Sequence, residues 1–105
     1  IEIVNHGGYE PAKTSPSDPF VVRVVKTAEK VYGSKPVVWP TTAGTSPIYT
    51  IRNWMGIPVA SGGGVGYSGS KIHAPNENTR IKDYINSIKY IATLITSYKV
   101  QGTGR

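Results

Sequence analysis

Apolar residues recur at helical spacing in two stretches of this chain, with short apolar runs and turn-rich loops between them. In the first stretch Phe20, Val21, Val24, Val25, Ala28, Val31 and Tyr32 fall on one stripe, opposite Arg23, Lys26, Glu29 and Lys30. Ser17 or Asp18 suits its N-cap, Pro19 its first helical position and Gly33 the residue past its end. In the second stretch Ile81, Tyr84, Ile85, Ile88, Ile91, Ala92, Ile95 and Tyr98 repeat over almost five turns, with Asn78 as a candidate cap. A shorter helix is expected from a Thr45 or Ser46 cap through Pro47 to about Trp54, closed by Gly56.

Three short runs read as strands. Ile1-Glu2-Ile3-Val4 alternates like the end of a half-buried strand, and Val37-Val38-Trp39 lies between Pro36 and Pro40. Ile57-Pro58-Val59-Ala60 is the third, with Pro58 lacking a ladder donor near its start. The order strand, helix, strand, helix, strand, helix predicts an α/β layered fold. Residues 1–14 read as a strand and a polar linker, 15–99 as the main folded segment and 100–105 as a tail.

With 105 residues there is room for one small domain with a modest core. The 38% hydrophobic content is low, and 12 Gly with 8 Pro require many turns. The chain lacks Cys, which excludes disulfides, thiolate chemistry and Cys-type zinc sites. No apolar run is long enough to span a bilayer and no signal-peptide pattern is present, so a cytoplasmic protein with no membrane partner is the expectation. Starting at Ile1 without an initiator Met suggests a processed product or fragment. The net charge of +6, from 12 Lys+Arg against 6 Asp+Glu, favours anionic partners. The basic residues are nevertheless scattered, no two are adjacent and no basic cluster alternates with aromatics, so nucleic acid is not the expected partner.

The candidate chemistry is concentrated between Gly44 and Glu77. Gly44-Thr45-Ser46-Pro47 puts backbone N–H groups and two hydroxyls at a helix start, which suits a carboxylate or oxyanion, though ordinary capping uses the same residues. Gly64 to Gly69 formally matches GxGxxG, but Lys71, His73 and Pro75 follow it where a dinucleotide site needs a helix. These glycines instead suit a close backbone approach or a flexible surface loop. No GxSxG elbow supports a Ser-His hydrolase. His73, one of two histidines, sits before Pro75 on a stiffened loop, while His6 lies in a glycine turn without a neighbouring ligand. Pro75 argues against His73 and Glu77 forming a helical ligand pair.

Taken together and in this order, Gly44-Thr45-Ser46-Pro47, Gly56-Ile57-Pro58-Val59, the glycine loop and His73-Ala74-Pro75-Asn76-Glu77 resemble the C-terminal end of a zinc amidohydrolase family. That family includes acetylornithine deacetylase, succinyl-diaminopimelate desuccinylase, aminoacylase, carboxypeptidase G and cytosolic dipeptidases. The resemblance covers about residues 1–98. It implies the last portion of an αβα-sandwich catalytic domain with a few short strands and two long helices. Residues 1–14 would then end a lid-domain strand and its return linker. The cofactor implied is zinc, two ions in the whole enzyme, with an amide bond of a peptide or N-acyl amino acid hydrolysed by metal-activated water.

By the same resemblance His73 is a metal ligand, Gly44, Thr45 and Ser46 bind substrate, and Glu77 supports the histidine. The family's remaining ligands and its Glu general base have no counterpart here, because Glu2, Glu10, Asp18, Glu29, Asp83 and His6 form no ligand motif. The expectation is a chain inactive by itself, needing the remainder of the enzyme as partner and prone to self-association. The rival expectation is a stand-alone basic module binding phosphate or nucleic acid through the glycine loop and Lys71.

Overall fold

Asp18 and Gly33 bracket the first helix as their chemistry requires. In the computed structural model, which describes residues 1–42, 44 and 46–98, helix α1 runs Pro19–Tyr32. The Asp18 carboxylate accepts the Phe20 N–H at 2.8 Å, meeting one of the donors that a helix start leaves unbonded. At the other end Gly33 adopts a left-handed φ of 72°, and its N–H reaches the Glu29 carbonyl at 3.0 Å.

Helix α2 spans Ile81–Thr96. Its N-cap is Arg80 in extended geometry, not Asn78, and no side chain caps it. Asn78 is committed to the loop before the helix. Between the helices Ile48 and Tyr49 are helical and Thr50–Trp54 forms a π-helical turn, so the short central helix is present in a wider winding. Gly56, at φ 66°, follows it.

The two helices pack antiparallel. Near the start of α1, the Arg23 guanidinium donates to the Ser97 carbonyl at 2.6 Å and lies 4.4 Å over the Tyr98 ring. Near its end, the Tyr32 and Tyr90 rings meet at 6.0 Å between centroids. Val21, Val24 and Thr27 of α1 are buried with Tyr90 of α2, which is 1% exposed.

The isoleucine stripe of α2 turns outward: Ile81 is 78% exposed, Ile88 54% and Ile95 66%. One neighbouring helix covers only the face carrying Tyr90. Full burial of an isoleucine contributes about 1.5–3 kcal/mol, so the outward stripe leaves that stabilisation unrealised.

The α/β expectation, and with it an αβα sandwich with short strands, does not hold. Among the described residues the elements are helical, with no strand or sheet. Each of the three predicted strands remains an unladdered segment. Ile3, Val37, Trp39 and Ile57 are exposed, and the Val59 N–H donates to the Thr14 hydroxyl at 3.0 Å instead of to a neighbouring strand. A strand is stable only when another edge satisfies its backbone groups, and Pro36, Pro40 and Pro58 remove donors from these runs. The resulting chain is open: its radius of gyration is 17.1 Å, against about 13 Å for a compact domain of similar length.

Candidate functional site

The glycine loop is docked on α2, and that docking sets the position of everything that follows it. A Cβ at Gly62 would stand 2.7 Å from the Tyr90 hydroxyl, and one at Gly63 would stand 2.4 Å from the Tyr90 ring. Gly63 also has a left-handed φ of 71°. The Ser87 hydroxyl donates to the Gly63 carbonyl, and Thr79 Oγ1 donates to the Val65 carbonyl at 3.0 Å. The close approach these glycines permit is therefore to Tyr90. Burial first, and the neighbouring Tyr32 phenol second, push the Tyr90 phenol above its ordinary pKa.

Next comes a tight turn from Tyr67 to Ser70. Ser70 is buried; its N–H and hydroxyl both donate to the Tyr67 carbonyl, at 3.0 and 2.7 Å. From there the chain runs out through His73 and returns to Asn78, whose N–H donates to the Ser70 carbonyl at 3.0 Å. Tyr67 Oη donates to Asn78 Oδ1 at 2.6 Å. Above the Tyr67 ring, at 4.5 Å, lies the Arg80 guanidinium, itself paired with Asp83 at 2.5 Å.

His73 occupies the exposed part of this closed segment. Its backbone is left-handed at φ 62°, as are Lys71 at 51° and Asn76 at 64°. This conformation costs a residue with a side chain about 1–2 kcal/mol, and Asn and His carry it more readily than Lys. Inside the segment the Ala74 N–H donates to the Lys71 carbonyl at 2.9 Å. The imidazole stands free in solvent, available to a ligand.

The remaining sequence-predicted residues are not gathered around it. Glu77 is exposed, with no hydrogen bond or ion pair to His73 among the described residues. Gly44 and Ser46 are exposed, with open space around Gly44, and Thr45 lies outside the described residues. Two grooves, of about 410 and 400 Å³, lie against the helices, and neither is lined by Gly44, Ser46, His73 or Glu77. His6 is exposed on the N-terminal segment.

No group of three or more His, Cys, Asp or Glu side chains able to hold a metal ion occurs among the described residues. Asp18 is used as a cap and Asp83 as the partner of Arg80. The residues present therefore fit a metal as one imidazole donor and do not complete a centre. Nor does the phosphate-binding reading of the glycine loop find support: the loop closes on Tyr90, and α2 begins only at Ile81. No helix among the described residues is long and apolar enough to cross a membrane.

Tyr67, Ser70, Asn78 and Tyr90 build this arrangement, yet the helical and strand periodicities do not mark them. Asn78 alone carried a signal, as a candidate cap, and that signal pointed to a different role. A family model described as Peptidase family M20/M25/M40 matches residues 1–97. Neither a curated protein nor a solved structure matches the chain.

Proposed function

Since this chain belongs to peptidase family M20/M25/M40, we propose that it is a segment of a zinc-dependent peptidase or N-acyl-amino-acid deacylase. In this reading it supplies one metal ligand and a substrate-facing loop to a site completed by other residues. The observation that carries the reading is the family match, which extends over residues 1–97 and so includes His73-Ala74-Pro75-Asn76-Glu77. The presentation of His73 supports it: an exposed imidazole on a closed loop, with no side-chain partner among the described residues, is a ready metal donor.

Each residue has a defined part. His73 donates its imidazole to the metal. Gly44, Thr45 and Ser46 receive the carboxylate of the peptide or acyl amino acid through backbone N–H groups and hydroxyls. Glu77, four residues past His73, accepts the other imidazole N–H once the site is assembled, a support that metal-bound histidines ordinarily have. Residues 1–14 form the linker from a lid domain, and 15–99 belong to the catalytic domain. Zinc, when bound, supplies Lewis acidity and an acidified water; this chain's contribution is to hold and orient.

A direct test follows from the missing ligands. With zinc supplied, the purified 105-residue chain is expected to release no product from N-acyl amino acids or dipeptides. Measured turnover would contradict the proposal that the site needs residues from elsewhere.

A further inference from the structure

We propose that Asn78 is the positioning residue for His73, acting as a polar clamp across the base of the loop; its importance for chemistry rests on the reading of His73 as a metal ligand. Residues 71–80 are all exposed, so hydrophobic packing does not hold this segment. Three of its residues nevertheless keep left-handed backbones, Lys71, His73 and Asn76. Such conformations persist only where surrounding bonds over-determine them.

Those bonds converge on Asn78. Its side-chain Nδ2 donates to the Gly69 carbonyl at 3.3 Å and to the Asn76 carbonyl at 3.0 Å. Its Oδ1 accepts from Tyr67 Oη at 2.6 Å, and its backbone N–H donates to the Ser70 carbonyl at 3.0 Å. One amide thus ties the outgoing limb of the loop, the returning limb and the preceding turn, using both its donors and its acceptor. Tyr67 is in turn fixed from two sides, by Ser70 along the backbone and by Arg80 over its ring. The chain from the tip at His73 to either anchor is short, so the clamp dictates where the imidazole points. Glu77, next to Asn78 in sequence, is carried by the same anchor.

The test is nuclear magnetic resonance on the isotopically labelled 105-residue chain, without metal. A residue with φ near +60° has its amide and α protons close together and gives a strong intraresidue NOE. Wild-type His73 is expected to show one, with the Ala74 and Asn78 amides protected from exchange. In Asn78→Ala the strong His73 NOE is lost, and the Ala74 and residue-78 amides exchange at least about tenfold faster, as for a local opening. The Val24 and Tyr90 amides keep their rates.

Tyr67→Phe keeps the ring under Arg80 and removes only the hydroxyl donor; it weakens the His73 NOE part-way, and reads the clamp even where Asn78→Ala unfolds the chain. Asn78→Asp retains the acceptor for Tyr67 and loses both donated bonds, so Ala74 protection falls while the Tyr67 contact remains. Survival of the His73 NOE and of Ala74 protection in all three variants overturns the proposal. Equal acceleration of all amides, those of α1 and α2 included, overturns it as well. Zinc content of the native protein carrying this segment, compared for wild type and His73→Ala, separates the two ideas. Zinc unaffected by His73→Ala beside an intact clamp removes the ligand reading, whereas zinc lost in His73→Ala with no clamp signature removes the clamp.

Discussion

Replacing Gly63 with alanine brings two separate costs to bear on the docking of the glycine loop. The backbone there is left-handed, at φ 71°, which a Cβ makes unfavourable by about 1–2 kcal/mol. That Cβ would also stand 2.4 Å from the ring of Tyr90. Tyr90 is 1% exposed and packed against Tyr32, so it cannot swing clear. Forcing atoms into a filled site costs about 1–3 kcal/mol, for a total of about 2–5 kcal/mol. The neighbouring Gly64→Ala is the control, because its Cβ meets nothing within 4 Å and surface changes of that kind stay within about 0.5 kcal/mol. Urea unfolding followed by far-ultraviolet circular dichroism gives both values, and the midpoint should fall for Gly63→Ala with the slope unchanged. Adding Tyr90→Ala to Gly63→Ala should remove the steric part and leave the backbone part, a coupling of about 1–3 kcal/mol in a double-mutant cycle. Equal midpoints for Gly63→Ala and Gly64→Ala, or a cycle without coupling, would refute the docking of this loop on Tyr90.

Tyr90 also predicts a pH dependence. Its folded pKa is raised above the ordinary 10.0 by burial and by Tyr32, so its stabilising contribution is complete below pH 10 and is lost as pH climbs from there through the folded pKa. Tyr90→Phe should make alkaline unfolding shallower, as thermal melts across that range would show. Asp18→Ala removes the carboxylate that accepts the Phe20 N–H and should cost about 1 kcal/mol in the same urea assay; no change would mean that the cap is idle. The outward Ile88 and Ile91 are expected to drive self-association through an exposed apolar patch. Ile88→Lys with Ile91→Lys should therefore lower the mass seen by light scattering at high concentration, and an unchanged mass would place any contact elsewhere.

What was legible in the chain followed from interactions close in sequence. Asp18, Pro19 and Gly33 are bound to α1 by local hydrogen-bond geometry, and the structure places that helix as their chemistry demands. Ile57-Pro58-Val59-Ala60 and Val37-Val38-Trp39 look like strands because alternation and β-branching suit a pleated, half-buried surface. That preference is expressed only against a partner edge, and none is present among the described residues. The face of α2 was misleading for a related reason. Periodicity finds its isoleucine stripe, but the contact with α1 and the glycine loop goes through Tyr90 and Ser87 on another side.

At the site, His73 before Pro75 was readable because a lone histidine on a stiffened loop is a local signal. Asn78 was readable only as a helix cap, since amide residues just before a helix usually serve that purpose. Its actual partners, Tyr67 and Gly69, lie across the loop, and no local pattern encodes them. The glycines announced a close approach, while the residue approached, Tyr90, lies beyond them on α2.

The central claim is that His73 binds the metal of a larger hydrolytic site. Zinc content of the native protein carrying this segment, measured for wild type, His73→Ala and His6→Ala, tests it most directly. Bound zinc should fall in His73→Ala and stay at the wild-type level in His6→Ala. Full zinc occupancy in His73→Ala would contradict the account.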